Sequence, residues 1–242
     1  MITAEQSKSL NEIIKGSRRA VFFGGAGVST ESGIPDFRSA DGIYMMNYRY
    51  PPEEILSHTF FMRHTEEFFE FYRKHLCCKG IEPNAAHLKL AELERAGILA
   101  AVVTQNIDGL HTKAGSKTVY ELHGSTLRNY CMKCGKLYDA DYVFSICGVP
   151  KCSCGGTVKP DVVLYEETLD ADTVNGAIRA ICEADTLIVA GTSLRVYPAA
   201  GFIRYFKGNN LVIINRDPTD MDGEFDLVIH DSIGKVLGEI EL

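Results

Sequence analysis

Six short apolar runs, at 19–23, 98–104, 119–122, 186–190, 211–215 and 227–229, are each bounded by turn residues. The first reads as a buried strand, Arg19-Ala20-Val21-Phe22-Phe23, and the others are rich in Val, Ile or Leu, which is how strands covered on both faces read. Helical patterns lie between several of them, over 85–96, 171–184 and 199–206. This alternation predicts an α/β fold, a Rossmann-like doubly wound parallel sheet. Ahead of the first run, Thr3-Ala4-Glu5-Gln6 fits a capping box that opens an amphipathic helix running to about Lys15.

Two stretches break the alternation. Residues 39–84 are aromatic and helical, with no strand pattern, and residues 127–159 are rich in Cys, Gly and Lys but poor in large aliphatics. The expected organisation is a Rossmann-like nucleotide-binding domain from 1–38, 85–126 and 160–242, a helical insertion at 39–84, and a small ribbon-like domain at 127–159. The small domain cannot bury enough apolar surface to fold unaided, so it needs a staple.

The staple is visible. Cys131-Met132-Lys133-Cys134 and Cys152-Ser153-Cys154 form two close pairs with 17 residues between them. Four thiolates in two pairs, each followed by glycine, suit tetrahedral zinc. Four sulfur ligands leave no open position, so the metal is structural. Cys147 is an alternative ligand in place of Cys152 or Cys154, and the close pairs are preferred because Cys147 stands alone. Cys77, Cys78 and Cys182 fall in helical patterns and read as packed thiols.

Composition bounds the rest. The 242 residues are 45% hydrophobic and 24% charged, as in an ordinary soluble enzyme. A net charge of -7 argues against a nucleic-acid partner. The longest apolar runs, such as 96–103, are too short to cross a bilayer. Residues 1–19 show no apolar signal-peptide core, and eight cysteines point to thiols or metal rather than disulfides. A cytoplasmic location, away from membranes, is expected.

The chemistry clusters at predicted strand ends. After the first run, Gly24-Gly25-Ala26-Gly27-Val28-Ser29 can offer backbone amides to a pyrophosphate. A dehydrogenase would continue with a helix, a second strand and an acid. This chain gives instead the loop Gly33-Ile34-Pro35-Asp36-Phe37-Arg38, which disfavours hydride transfer. Further polar clusters follow other strands: Thr104-Gln105-Asn106-Ile107-Asp108, Gly191-Thr192-Ser193-Leu194, and Asn215. His123-Gly124 closes the run at 119–122 on the same edge, where an imidazole suits a general base.

Gly25-Ala26-Gly27-Val28-Ser29, Gly33-Ile34-Pro35-Asp36-Phe37-Arg38, Thr104-Gln105-Asn106-Ile107-Asp108, His123-Gly124, the four cysteines, Gly191-Thr192-Ser193-Leu194 and Asn215 stand in the order seen in sirtuins. The chain resembles a minimal bacterial or archaeal-type member of that family over nearly its whole length. The resemblance implies NAD contacts from Gly25, Ala26, Ser29, Thr30, Asp36, Phe37 and Arg38. It implies that Gln105, Asn106, Ile107 and Asp108 line the nicotinamide and ribose pocket. Gly191, Thr192, Ser193 and Asn215, with the backbone near Ser232 and Ile233, would hold the adenosine half.

It further implies NAD-dependent removal of acyl groups from protein lysines, with His123, Asn106 and Asp108 as catalytic residues. Acyl-lysine proteins are the implied partners, pairing as a strand beside Pro160–Val163, with Val162 and Val163 in contact. The acyl oxygen would attack the ribose C1′ to give an ADP-ribosyl imidate. With nicotinamide expelled in that step, His123 would deprotonate a ribose hydroxyl that attacks the imidate carbon, and hydrolysis would release O-acyl-ADP-ribose and free lysine.

Two departures bear on substrate. Relatives that remove succinyl-type groups carry Tyr-x-x-Arg over the acyl pocket, whereas this chain has Tyr72-Arg73-Lys74-His75, which favours uncharged acyl groups. The family's aromatic-Gly-Glu after the substrate strand is Tyr165-Glu166-Glu167 here, an altered and more acidic loop. The rivals are a mono-ADP-ribosyltransferase on the same NAD site and a non-catalytic NAD-sensing zinc adaptor.

Overall fold

A computed structural model describes residues 2–37, 42–45 and 48–242. Six strands make a wholly parallel sheet: β1 (Ala20–Gly24), β2 (Leu99–Thr104), β3 (Val119–Glu121), β7 (Thr186–Ala190), β8 (Asn210–Ile214) and β9 (Leu227–Ile229). The spatial order is β3-β2-β1-β7-β8-β9. The chain therefore winds outward one way from β1 and the other way from β7. Between those two strands the order reverses, and a parallel sheet opens a ligand crevice beyond its carboxyl ends at such a point.

Every residue of β1 is buried, and consecutive side chains serve opposite faces. Phe22 packs with Leu10 and Ile14 of α1 (Ala4–Gly16), Leu90 and Leu93 of α5 (Ala85–Arg95), and Val236 and Leu237 of α9 (Ile233–Gly238). Phe23 packs on the other face with Ala177 and Ile181 of α8 (Ala171–Cys182) and with Phe202. Helix α1 begins with the expected capping box: the Gln6 amide donates to Thr3 Oγ1 at 3.1 Å, and the Thr3 amide donates to Gln6 Oε1 at 2.9 Å.

The cysteine-rich region contributes a second sheet, antiparallel, in the order β5-β4-β6. Its strands are β4 (Gly124–Cys131), β5 (Leu137–Asp139) and β6 (Val158–Val162), with helix α7 at Ala140–Ser145. Residues 52–75 form α2 (Pro52–Ile55), α3 (His58–Arg63) and α4 (Thr65–His75). These helices and the small sheet share one core, in which Phe61, Phe68, Phe69 and Tyr72 lie with Val143, Val158, Cys131 and Cys152. The Tyr72 and Phe144 rings stack at 5.3 Å.

Some expectations need correction. The 199–206 pattern forms a 3₁₀ helix, Ala199–Tyr205, not an α-helix. Cys77 and Cys78 lie beyond α4 in irregular chain rather than in a helix, while Cys182 is the last residue of α8.

Candidate active site and metal centre

The crevice is a cavity of about 590 Å³ lined by residues from the ends of β1, β2, β7 and β8 and from the segment after β6. Gly25, Ala26, Ser29, Thr30, Asp36, Phe37, Gln105, Asn106, Ile107, Asp108, His123, Val162, Val163, Gly191, Thr192, Ser193, Asn215, Ser232 and Ile233 all line it. Arg38 lies outside the described residues. The volume is ordinary for a buried small-molecule ligand.

The glycine turn does two jobs. Gly25 and Gly27 commit their amides to the Ala190 and Gly191 carbonyls, at 3.0 and 2.9 Å. A Cβ on Gly27 would lie 2.7 Å from the Gly191 Cα, so glycine lets the two turns touch. These two amides fasten the β1 turn to the β7 turn, and the sequence reading that offered them to a pyrophosphate is corrected accordingly. The next residues form a short 3₁₀ helix, Ala26–Ser32, which carries Ser29 and Thr30 into the cavity wall.

Ser29 is the hub of a buried network. Its hydroxyl donates to Asp108 Oδ2 at 2.7 Å and accepts from Asn106 Nδ2 at 3.1 Å. His87 Nε2 stands 3.5 Å from the same oxygen, and the Asn84 amide donates to His87 Nδ1 at 3.3 Å. The other Asp108 oxygen accepts at 2.8 Å from the amide of Leu110, the first residue of α6 (Leu110–Ala114). Asn106 and Asp108 are therefore held rigidly, each less than a tenth exposed.

His123 has its Nδ1 2.9 Å from the Gln105 carbonyl. A carbonyl only accepts, so Nδ1 carries the proton and Nε2 is left with a lone pair. Burial lowers the His123 pKa below its ordinary 6.5, against a smaller raising effect of the Gln105 hydrogen bond. The imidazole is thus neutral and basic at neutral pH. Its own carbonyl accepts from the Val163 amide at 3.0 Å, which ties it to the segment after β6.

On the far side, Asn215 clamps the β7 turn. Its Oδ1 accepts from the Thr192 amide at 3.1 Å, and its Nδ2 donates to the Thr192 carbonyl at 3.0 Å. Gln105 Nε2 donates to Thr192 Oγ1 at 3.1 Å, joining the β2 and β7 turns. Glu31, which sequence reasoning missed, also lines the cavity, and its Oε1 accepts from the Gly234 amide at 2.8 Å. Its only signal was adjacency to Ser29-Thr30. His87 was missed too, because a histidine inside a helical pattern looks like any other.

Of the Tyr72–His75 segment, only His75 reaches the cavity wall. Tyr72 is fully buried in the shared aromatic core, and Arg73 turns away to donate to the Gly148 carbonyl at 2.8 Å. The acidic loop is largely internally matched. Glu167 accepts from buried Lys159 at 3.0 Å and from the Leu164 amide at 2.9 Å, and it pairs with His58 at 2.9 Å.

The metal site passes a simple geometric test. The ligand sulfurs of Cys131, Cys134, Cys152 and Cys154 all lie within 4.8 Å of one another. Three of the separations are 3.5, 3.6 and 3.4 Å. Four sulfurs about 2.3 Å from a central zinc would stand about 3.8 Å apart. A Cβ on Gly156 would sit 2.6 Å from Cys131 Sγ, so that glycine gives the cluster room. Cys147 is not part of the group and is exposed. These four residues would hold zinc as a cross-link between β4 and the hairpin that leads into β6.

A switch-point crevice of this kind on a parallel sheet is a nucleotide-binding architecture. The chain belongs to the Sir2 family: a sequence model described as "Sir2 family" matches residues 25–198. It is 62% identical over 241 residues to an NAD-dependent protein deacetylase of Clostridium acetobutylicum, covering 98% of each chain. It is 60% identical over 240 residues to one from Clostridium perfringens, again over 98% of each. A solved Sir2 enzyme superposes with a TM-score of 0.89 at 42% identity, covering 98% of this chain and 96% of its own. A Sir2 complex with p53 peptide and NAD+ gives 0.84 at 38% identity, covering 95% of each. Among the described residues, no helix is long and apolar enough to cross a membrane.

Proposed function

We propose that this chain is an NAD-dependent protein-lysine deacetylase in which His123 is the general base. The observation that carries the reading is the fixed tautomer of His123, with Nδ1–H on the Gln105 carbonyl and a basic Nε2 at the cavity wall. NAD, as co-substrate, supplies an electrophilic ribose carbon whose nicotinamide leaving group already carries positive charge. That departure needs no acid from the protein. The protein supplies orientation, which is worth several kcal/mol when both reactants are held together.

His123 Nε2 takes the proton of a ribose hydroxyl, and the Gln105 carbonyl stabilises the imidazolium that results. Asn106 keeps its Nδ2 on Ser29 and so offers Oδ1 as an acceptor. Asp108 acts at one remove by holding Ser29 and the loop that carries Asn106. Phe37, whose ring lies 5.4 Å from that of Tyr44, screens the nicotinamide end from water. The Thr192–Asn215 clamp, with Ser193 and the backbone at Ser232 and Ile233, forms the adenosine end. Val162 and Val163 present the strand edge along which the acyl-lysine peptide lies. The helical insertion forms the other wall through Leu56, His75 and Leu76, backed by the zinc-stapled ribbon with which it shares a core, and the free thiols outside the cluster suit the reducing cytoplasm.

Incubation with an acetyl-lysine peptide and NAD, followed by mass spectrometry, tests the reading. The expected products are free-lysine peptide, nicotinamide and O-acetyl-ADP-ribose. A peptide that gains ADP-ribose and keeps its acetyl group overturns it in favour of ADP-ribosyl transfer.

A further inference from the structure

The segment that leaves β6 is sewn to the helical insertion at its turn. The Tyr165 amide donates to the Leu56 carbonyl at 3.0 Å, and the His58 amide donates to the Tyr165 carbonyl at 2.9 Å. One residue on, the Thr59 amide donates to the Glu166 carboxylate at 2.8 Å. His58, Thr59 and Phe60 open α3, where amides have no acceptor within the helix. Phe60 is satisfied by the Ser57 hydroxyl at 3.1 Å, and the other two are satisfied by this turn. Helix and turn complete each other.

The arrangement requires an unusual backbone. Glu166 has φ 74, and it shares the left-handed region with Leu194 alone among the described non-glycine residues. A side chain disfavours that region, and such conformations persist only where the surroundings hold them. The surroundings do hold it. On one side Tyr165 shares a 2.7 Å hydrogen bond with the Tyr44 hydroxyl, and on the other Glu167 is fixed by Lys159, His58 and the Leu164 amide. Glycine would make this turn without strain. What glycine cannot do is bond α3. Hydrogen bonds from the Thr59 hydroxyl and amide lower the Glu166 pKa, so the carboxylate stays charged and accepting.

We infer that Glu166 is a positioning residue for the peptide substrate: by tying the turn to α3 it holds the 162–164 edge ready to pair with an acyl-lysine strand. It touches no reacting atom, so its effect falls on peptide binding and not on the chemical step. This rests on the deacetylase reading above. Preorganising a binding edge improves affinity by removing ordering that would otherwise accompany binding.

Steady-state kinetics on the full chain test it, with peptide varied at saturating NAD and NAD varied at saturating peptide. Glu166→Gly should raise the peptide KM about 5–10-fold while leaving kcat and the NAD KM within about twofold. Glu166→Gln keeps an acceptor oxygen and should restore the peptide KM to within about twofold of wild type. Relief of strain in Glu166→Gly should also keep its melting temperature close to wild type, separating positioning from a general loss of stability. A wild-type peptide KM in Glu166→Gly overturns the inference, as does a parallel change in kcat and the NAD KM. If the wild-type chain binds the peptide without deacetylating it, the functional reading has failed. Fluorescence anisotropy of labelled peptide against the same variants then still decides the role of Glu166.

Discussion

At His123 burial and a hydrogen bond oppose each other, and burial prevails, so the folded pKa lies below 6.5. The free base is the active form, so kcat/KM should be flat near neutrality and fall as pH drops through that depressed pKa. A pH–rate profile with its acidic midpoint above 6.5 would contradict the assignment. His123→Ala should keep NAD affinity, measured by calorimetry, and lower kcat by at least about 10²–10⁴-fold. The same sign governs stability. Burial also lowers the pKa values of His87 and His111, so all three rings favour the neutral form when folded. The stability they contribute is present above the ordinary pKa of 6.5 and is lost as pH falls through the folded values. His123 was legible in the sequence because it ends a strand among other polar strand ends. Its tautomer was not, because the deciding carbonyl belongs to Gln105, 18 residues away on another strand's turn.

Among the elements, legibility followed burial. The parallel strands were readable to within a residue: β1, β2 and β7 are covered on both faces and leave continuous apolar runs, and the half-buried β3 and β9 are short runs set off by turn residues. Strand β4 left no such mark: Leu127 in its middle is half exposed, and its register against β6 is irregular between Ser125 and Asn129. That sheet relies on the four-cysteine site and on the core it shares with α3 and α4, neither of which leaves a local apolar run. Its first residue is demanding nonetheless. Gly124 has φ 75, and a Cβ there would lie 2.0 Å from the Asp161 carbonyl oxygen, inside the β4–β6 pairing. Gly124→Ala should therefore destabilise by about 3 kcal/mol, combining a left-handed side chain with a backbone clash. For a chain of this size that corresponds to a melting temperature lower by about 6–12 °C, readable by circular dichroism. A drop under about 2 °C would show that the pairing yields cheaply.

At the scale of the whole molecule, the described residues form three cores, and the division of work among them is uneven. Two cores flank the parallel sheet and need nothing outside themselves. The third is shared, with two zinc-site cysteines, Cys131 and Cys152, buried among the phenylalanines of α3 and α4. Sequence reasoning saw an insertion and a cysteine ribbon as separate interruptions, because contacts between residues 60–76 and 131–164 leave no local pattern. Their joint burial means that losing the metal should not stay local. Chelating zinc from the loaded protein should deprotect amides in β4, β5 and β6 and also in α3 and α4, while β1, β2, β7 and β8 keep their protection. The wall residues His75, Leu76 and Cys78 lie at the end of α4 and just beyond it, so peptide turnover should be lost with them. Hydrogen exchange read by mass spectrometry distinguishes the outcomes. Protection that survives in α3 and α4 after the metal is gone would mean the aromatic residues hold that core without the ribbon, and the third core would then have to be counted as two.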